Sequence, residues 1–286
     1  MTDKLAGWAS IRASLQKEEG GLRAHIPAHW KQGRTAYGGL TAALMLAATA
    51  EQFDDLPPLR SALINFVGPV TDDPLLTANL ERRGRNVTSL SAAAHIGEKV
   101  VGRADFLFGA ARSSKINVDF PAPPAMKPKD TEPLTPKAAA GMVPQFFHNF
   151  DTRLIAGARP MMGTEGYMRT WSRHKDLESR TGLESLLCIG DVLPPGAMPL
   201  MRHMGPISSM SWMFNLLTDR PQTEDGWWHV ESASPPQEVD IQVRSCGFGI
   251  QAASSSSKAC NRLPFLMAKP ETQKTLSYRP QHPAHY

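Results

Sequence analysis

The stretch "YGGLTAALMLAATAEQF", Tyr37 to Phe53, decides the fold. Leu40, Ala43, Leu44 and Ala47 recur at helical spacing, so the segment predicts a long helix with an apolar face, opened by a pair of glycines. Pro57-Pro58 blocks its continuation. Up to four strand candidates follow, Leu59 to Val70, Leu75 to Arg82, Val87 to Ile96 and Lys99 to Gly109, with "RRGRN" and "IGEKV" as turns. Alternation is plain in Leu76, Ala78, Leu80 and again in Ala104, Phe106, Phe108.

The second half repeats this order. "FPAPPAMKPKDTEPLTP", Phe120 to Pro136, is proline-rich and polar and reads as an extended linker. Beyond it come a strand candidate, Gly166 to His174, and a helix, Gly182 to Asp191. "SSMSWMFNLLT" then alternates Trp212, Phe214 and Leu216 against Ser211, Met213 and Asn215, and "GWWHVESAS" continues as a strand. A long apolar helix followed by antiparallel strands, occurring twice, predicts two α+β units, each a curved sheet wrapped around its helix, with the sheets joined edge to edge.

One carboxylate stands out in "SLLCIGDVLPPGA", Ser185 to Ala197. Leu183, Leu187 and Asp191 are spaced so that the acid continues the stripe facing the core. Asp191 also falls in the last helical turn, just before Pro194-Pro195. A negative charge there opposes the helix dipole, so capping does not explain it. Two readings stand at this point: an outward-turned Asp191 tethering the VLPPG turn, or a functional carboxylate.

Composition narrows the classes. The chain has 286 residues, 41% hydrophobic and 20% charged, values ordinary for a globular protein of one large or two moderate domains. Its first residues lack the apolar core of a signal peptide, and no apolar run is long enough to span a bilayer. The three cysteines, Cys188, Cys246 and Cys260, form no CxxC, which points to a reducing, cytoplasmic setting. A formal charge of +4, with one local cluster at Arg82, Arg83 and Arg85, lacks the dense basic face of a nucleic-acid binder. That cluster reads better as a solvated hairpin turn than as a phosphate site. There is no Walker loop, no dinucleotide fingerprint and no G-x-S-x-G elbow. His148, His174, His203 and His229 are scattered without metal-ligand spacing, read mostly as surface residues, and imply no metal.

Taken together, "HWKQGRTAYGGLTAALMLAAT", "LRSALINFVGPV", "SLLCIGDVLPP", "SSMSWMFNLL" and "DGWWHVES" resemble the double-hotdog acyl-CoA thioesterases of the thioesterase II type, over roughly residues 15–234. The order of the five segments carries the resemblance. It implies an α+β double hotdog: residues 1–119 as an N-terminal unit, 120–142 as linker and 143–286 as a C-terminal unit with an atypical tail from about 235. It implies hydrolysis of fatty acyl-CoA to free acid and CoA, without metal or redox cofactor, and is compatible with a homo-oligomer.

Carried over residue by residue, Asp191 matches the family's catalytic aspartate and Ser209 the hydroxyl residue that helps hold the attacking water. Both types suit the chemistry. A carboxylate partly withdrawn from water accepts protons better near neutrality, and a hydroxyl can donate and accept at once. Backbone N–H groups at a helix N-terminus suit a developing oxyanion, which makes Tyr37, Gly38 and Gly39 the substrate-binding candidates. The alternative for the glycines is close packing alone. First-half positions equivalent to Asp191 fall near Thr49 to Glu51, so one centre per chain is expected.

The chain departs from the family at its end. The family's last strand carries a glutamine, whereas the text after Ser234 becomes polar and proline-containing and lacks a strand–turn–strand pattern. The genetic code permits Glu238 to Pro264 to be read one nucleotide back as "GGYSSQIVWIRDSGGKLVVEGMQSVAIF", which has that pattern and ends on a Q-bearing apolar strand. Gln237, Gln242 and Gln251 are the nearby glutamines of the chain as written, and none aligns with the family's. A catalytically silent acyl-CoA-binding protein is therefore the alternative function. A hotdog hydratase has less support, because no paired Asp and His sits on the relevant helix.

Overall fold

The computed structural model describes residues 6–113, 126–203 and 207–234, and the backbone of 250–252 and 262–263. The chain opens with α1 (Trp8–Ala13), the hairpin β1 (Gln16–Glu18) and β2 (Gly21–Arg23), and the small ladder β3 (Lys31–Gln32) and β4 (Thr35–Ala36). The quoted stretch then forms α2 (Gly38–Gln52). Four long antiparallel strands follow: β5 (Leu59–Phe66), β6 (Leu75–Arg83), β7 (Val87–Ile96) and β8 (Lys99–Gly109).

The second half adds β9 (Glu132–Pro133), β10 (Phe150–Gly157), β11 (Tyr167–His174), α3 (Leu183–Gly190), β12 (Ser211–Asn215), β13 (Trp228–Ala233), β14 (Ile250–Ala252) and β15 (Arg262–Leu263). One sheet has the order β1-β2-β6-β7-β8-β5-β12 and the other β15-β14-β13-β11-β10-β9. All pairings in both are antiparallel, as α+β hotdog units require.

The expected edge-to-edge joining is not found among the described residues, where no strand of one sheet pairs with a strand of the other. By sequence β12 belongs to the second half, yet it lies beside β5, with Trp212 opposite Ile64 and Phe214 opposite Ala62. Besides the packing of α2 on α3, the halves are thus linked by a strand of the second half added to the first sheet. Register shifts at Leu59/Ser61, Leu80/Arg82 and Ala94/His95 insert bulges, which bend strands and increase twist.

The α2 helix departs from its sequence reading in an informative way. An apolar face was expected, but every residue from Gly39 to Thr49 is buried. The sheet strands β6, β7 and β8 pack on one side and α3 on another, so small alanines are needed wherever a neighbour comes close. Leu40, Leu44 and Met45 are fully enclosed, each worth roughly 1.5–3 kcal/mol of burial.

Part of the predicted linker is likewise not a free spacer. Glu132–Pro133 pairs with β10, Leu134 is buried, and the Leu134 N–H donates to the Thr152 carbonyl. Residues 120–125 of the linker lie outside the described residues. The tail also corrects an expectation, because β14 pairs with β13 and β15 with β14 despite the missing alternation. Backbone pairing on an open edge needs only N–H and C=O groups. Gln251 occupies the register position opposite His229, while Gln237 and Gln242 lie outside the described residues.

Candidate active site

The N-terminus of α2 meets the C-terminus of α3, and the meeting is close because of two glycines. A Cβ on Gly39 would lie 2.2 Å from the Cys188 carbonyl oxygen, a separation no side chain tolerates. A Cβ on Gly38 would lie 2.7 Å from Asp191 Oδ2 and 3.2 Å from the Phe66 ring. Tyr37, at the N-cap position, has extended backbone (φ −58°, ψ 135°) and makes no side-chain cap of its own helix. Its hydroxyl instead donates to the Cys188 carbonyl at 2.9 Å. The ring is stacked on Phe146 at 4.1 Å and 5°.

Asp191 closes α3 at its C-cap, with φ −98° and ψ 11°. Asp191 is half-buried, with its carboxylate beside Gly38. The electrostatic puzzle in the sequence resolves here. At the end of α3 the charge faces adverse carbonyl dipoles, but the positive end of α2 lies beside it. Cys188, one turn back, is fully buried; burial pushes its thiol well above the ordinary range, and the Asp191 charge adds to that.

Ser209 is half-buried and sits one residue before Met210, whose carbonyl accepts from the Phe66 N–H at 2.9 Å. The Phe66 ring lies beside Gly38 and the Phe66 N–H bonds Met210, so Ser209 belongs to the segment that runs past the Phe66 end of β5. Phe66 and Phe146 had no distinguishing signal in the sequence. Phe66 ends β5 and approaches Gly38, Phe146 stacks on Tyr37, and only the folded chain brings them to the start of α2.

The first-half positions equivalent to Asp191 are otherwise engaged. The Thr49 hydroxyl bonds back to Met45 O, and Glu51 pairs with Arg12 at 2.7 Å on the surface, where that hydrogen bond lowers its pKa. Arg82, Arg83 and Arg85 are exposed at the β6–β7 turn. The histidine reading needs correction. His148 and His203 are exposed, but His174 and His229 are buried and their pKa values fall to about 4, chiefly through desolvation. His174 Nε2 bonds to the Ser185 carbonyl, and His229 packs edge-on to Trp171. Sheet faces covered by neighbouring segments exclude water from both. Among the described residues no group of three or more His, Cys, Asp or Glu is placed to hold a metal ion. None of the helices described is long and apolar enough to cross a membrane.

Comparison with known proteins adds a family pattern to this geometry. Residues 26–109 match the acyl-CoA thioesterase N-terminal domain and residues 121–238 the acyl-CoA thioesterase C-terminal domain. Among solved structures, a conserved protein of unknown function with hot dog fold from Alicyclobacillus acidocaldarius is similar at a TM-score of 0.70 and 17% identity, over 86% of this chain and 91% of that one. The acyl-CoA thioesterase II TesB2 from Mycobacterium marinum is similar at 0.60 and 15% identity, covering 85% and 90%. The tesB protein of Mycobacterium avium subs paratuberculosis is similar at 0.63 and 12%, covering 85% and 90%. At these identities the likeness concerns the fold. A search of curated proteins finds no significant match.

Proposed function

We propose an activity for a chain that belongs to the double-hotdog acyl-CoA thioesterase family: hydrolysis of a fatty acyl-CoA, or a related acyl thioester, to free acid and CoA. The observation that carries this reading is the approach of the Asp191 carboxylate to Gly38 at the start of α2. In the proposed reaction Asp191 accepts a proton from water as the water oxygen bonds to the thioester carbonyl carbon. Ser209 orients that water, and backbone N–H groups at Gly38 and Gly39 stabilise the oxyanion. Collapse re-forms the carbonyl and breaks the C–S bond, and the proton held by Asp191 passes to the departing thiolate. A cytoplasmic role in fatty acid metabolism is part of the same proposal.

The test replaces Asp191 with Asn, which keeps shape and removes proton acceptance. CoA release from a panel of acyl chain lengths should show kcat falling about 100-fold or more, with the thermal melt retained. An unchanged kcat would take Asp191 out of the mechanism. A second reading, a silent acyl-CoA-binding protein, is favoured by the family glutamine that has no aligned counterpart here. Calorimetric binding of acyl-CoA without turnover on any chain length would select it.

A further inference from the structure

The hydroxyl of Tyr37 crosses from the first half of the chain to the second. Its acceptor, the Cys188 carbonyl, lies in the last turn of α3, three residues before Asp191. Carbonyls of a last helical turn have no intrahelical partner, so this bond satisfies an orphan acceptor and also pins that turn. The tyrosine is well placed to do so. It is 1% exposed, lies flat on Phe146, and meets Phe150 at 5.9 Å and 67°. Gly39 lets the same carbonyl approach α2 closely enough to be held.

A buried hydroxyl already donating to a main-chain carbonyl is poorly suited to bind substrate, the role its position next to the glycines suggests. We propose that Tyr37 is a positioning residue: by holding the Cys188 carbonyl it fixes the last turn of α3 against α2 and so keeps the Asp191 carboxylate at Gly38. Its kinetic consequence rests on the thioesterase reading above; its structural consequence does not.

Two cycles test it, both on the full chain. In the first, Tyr37→Phe is made alone and with Asp191→Asn. The expected result is a fall of about tenfold in kcat at nearly constant KM in the parent, the size of one hydrogen bond, and no further fall in the Asp191→Asn background. Equal falls in both backgrounds, or none in the parent, overturn the proposal. The second cycle needs no activity. Tyr37-Gly38 is the sole Tyr-Gly pair in the sequence, so carbonyl-13C tyrosine with 15N-glycine gives one cross-peak, the Gly38 amide. Phenylalanine labelling gives the corresponding new peak in the variant. Asp191→Asn should shift that amide strongly in the parent and weakly once residue 37 is phenylalanine. An equal shift in both overturns the proposal. If the parent hydrolyses no thioester, the activity reading fails, and the amide shift alone decides the clamp. Should Tyr37→Phe fail to fold, Phe146→Leu loosens the same ring and must give the same pattern, in weaker form, in both cycles.

Discussion

Acid should loosen this protein through His174, and the size of the effect follows from where the ring sits. His174 ends β11, is 2% exposed, and donates from Nε2 to the Ser185 carbonyl in the first turn of α3 at 3.0 Å. Desolvation dominates its environment and lowers its pKa from 6.5 to about 4; the Ser185 bond and the Asp176 charge oppose this, and Arg180 reinforces it. The folded state therefore holds the ring neutral, while the unfolded chain protonates it near 6.5. Between those values the unfolded state binds more protons, so stability is intact above pH 6.5 and is lost as pH falls toward 4. At about 1.4 kcal/mol per unit, the full window amounts to about 3 kcal/mol, and the step from pH 7 to pH 5 to about 2 kcal/mol. Urea denaturation at both pH values, on the parent and on His174→Gln, isolates the term. His229 shifts in the same direction but is present in both proteins and cancels. The parent should lose about 2 kcal/mol more than the variant over that step. Parallel losses would show that His174 is not held neutral by the fold, and the argument from burial would fall.

Gly39→Ala must part α2 from α3, since the new Cβ meets the Cys188 carbonyl at 2.2 Å; urea denaturation should show a loss of about 2 kcal/mol or more. Gly38→Ala pushes the Asp191 carboxylate off its seat and should lower kcat by about tenfold or more with a smaller change in melt, measured by CoA release. Cys188 is buried with its thiol pKa raised, so peptide mapping after alkylation should find it modified only under denaturing conditions. Sequencing the gene through codons 230–286 tests the shifted reading frame. If that frame exists, restoring the alternative ending should raise both Tm and thioester hydrolysis; if no codon assignment yields it, the tail as written is the native one.

Much of the architecture was legible because long, strongly patterned segments report their own period. α2, β7 and β8 fall where the pattern puts them, with β7 and β8 matching at both ends, and α3 ends one residue before Asp191 as Pro194-Pro195 demands. What escaped was irregular or short. In β10 the register shifts between Leu154 and Ala156, and the alternation of Phe150, Thr152 and Leu154 against Asp151 and Arg153 breaks there, too short to mark "FDTRLIAG" as a strand. The hairpin of β1 and β2 has only three residues in each strand, below the length at which alternation can be recognised.

The partner of each element was beyond any local pattern. That β12 pairs with β5 rather than within its own half, and that α2 is buried all round, depend on how the two halves enclose one another. Asp191 shows the division most clearly. Its place on the core-facing stripe at the end of α3 follows from residue spacing and two prolines, and so does the conflict with its own helix dipole. The relief of that conflict comes from Gly38, 153 positions earlier in the chain, where a second helix begins. Helix dipoles and hydrogen bonds act over a few ångströms of space regardless of sequence separation, so only the tertiary structure could supply the charge that makes the carboxylate tolerable there.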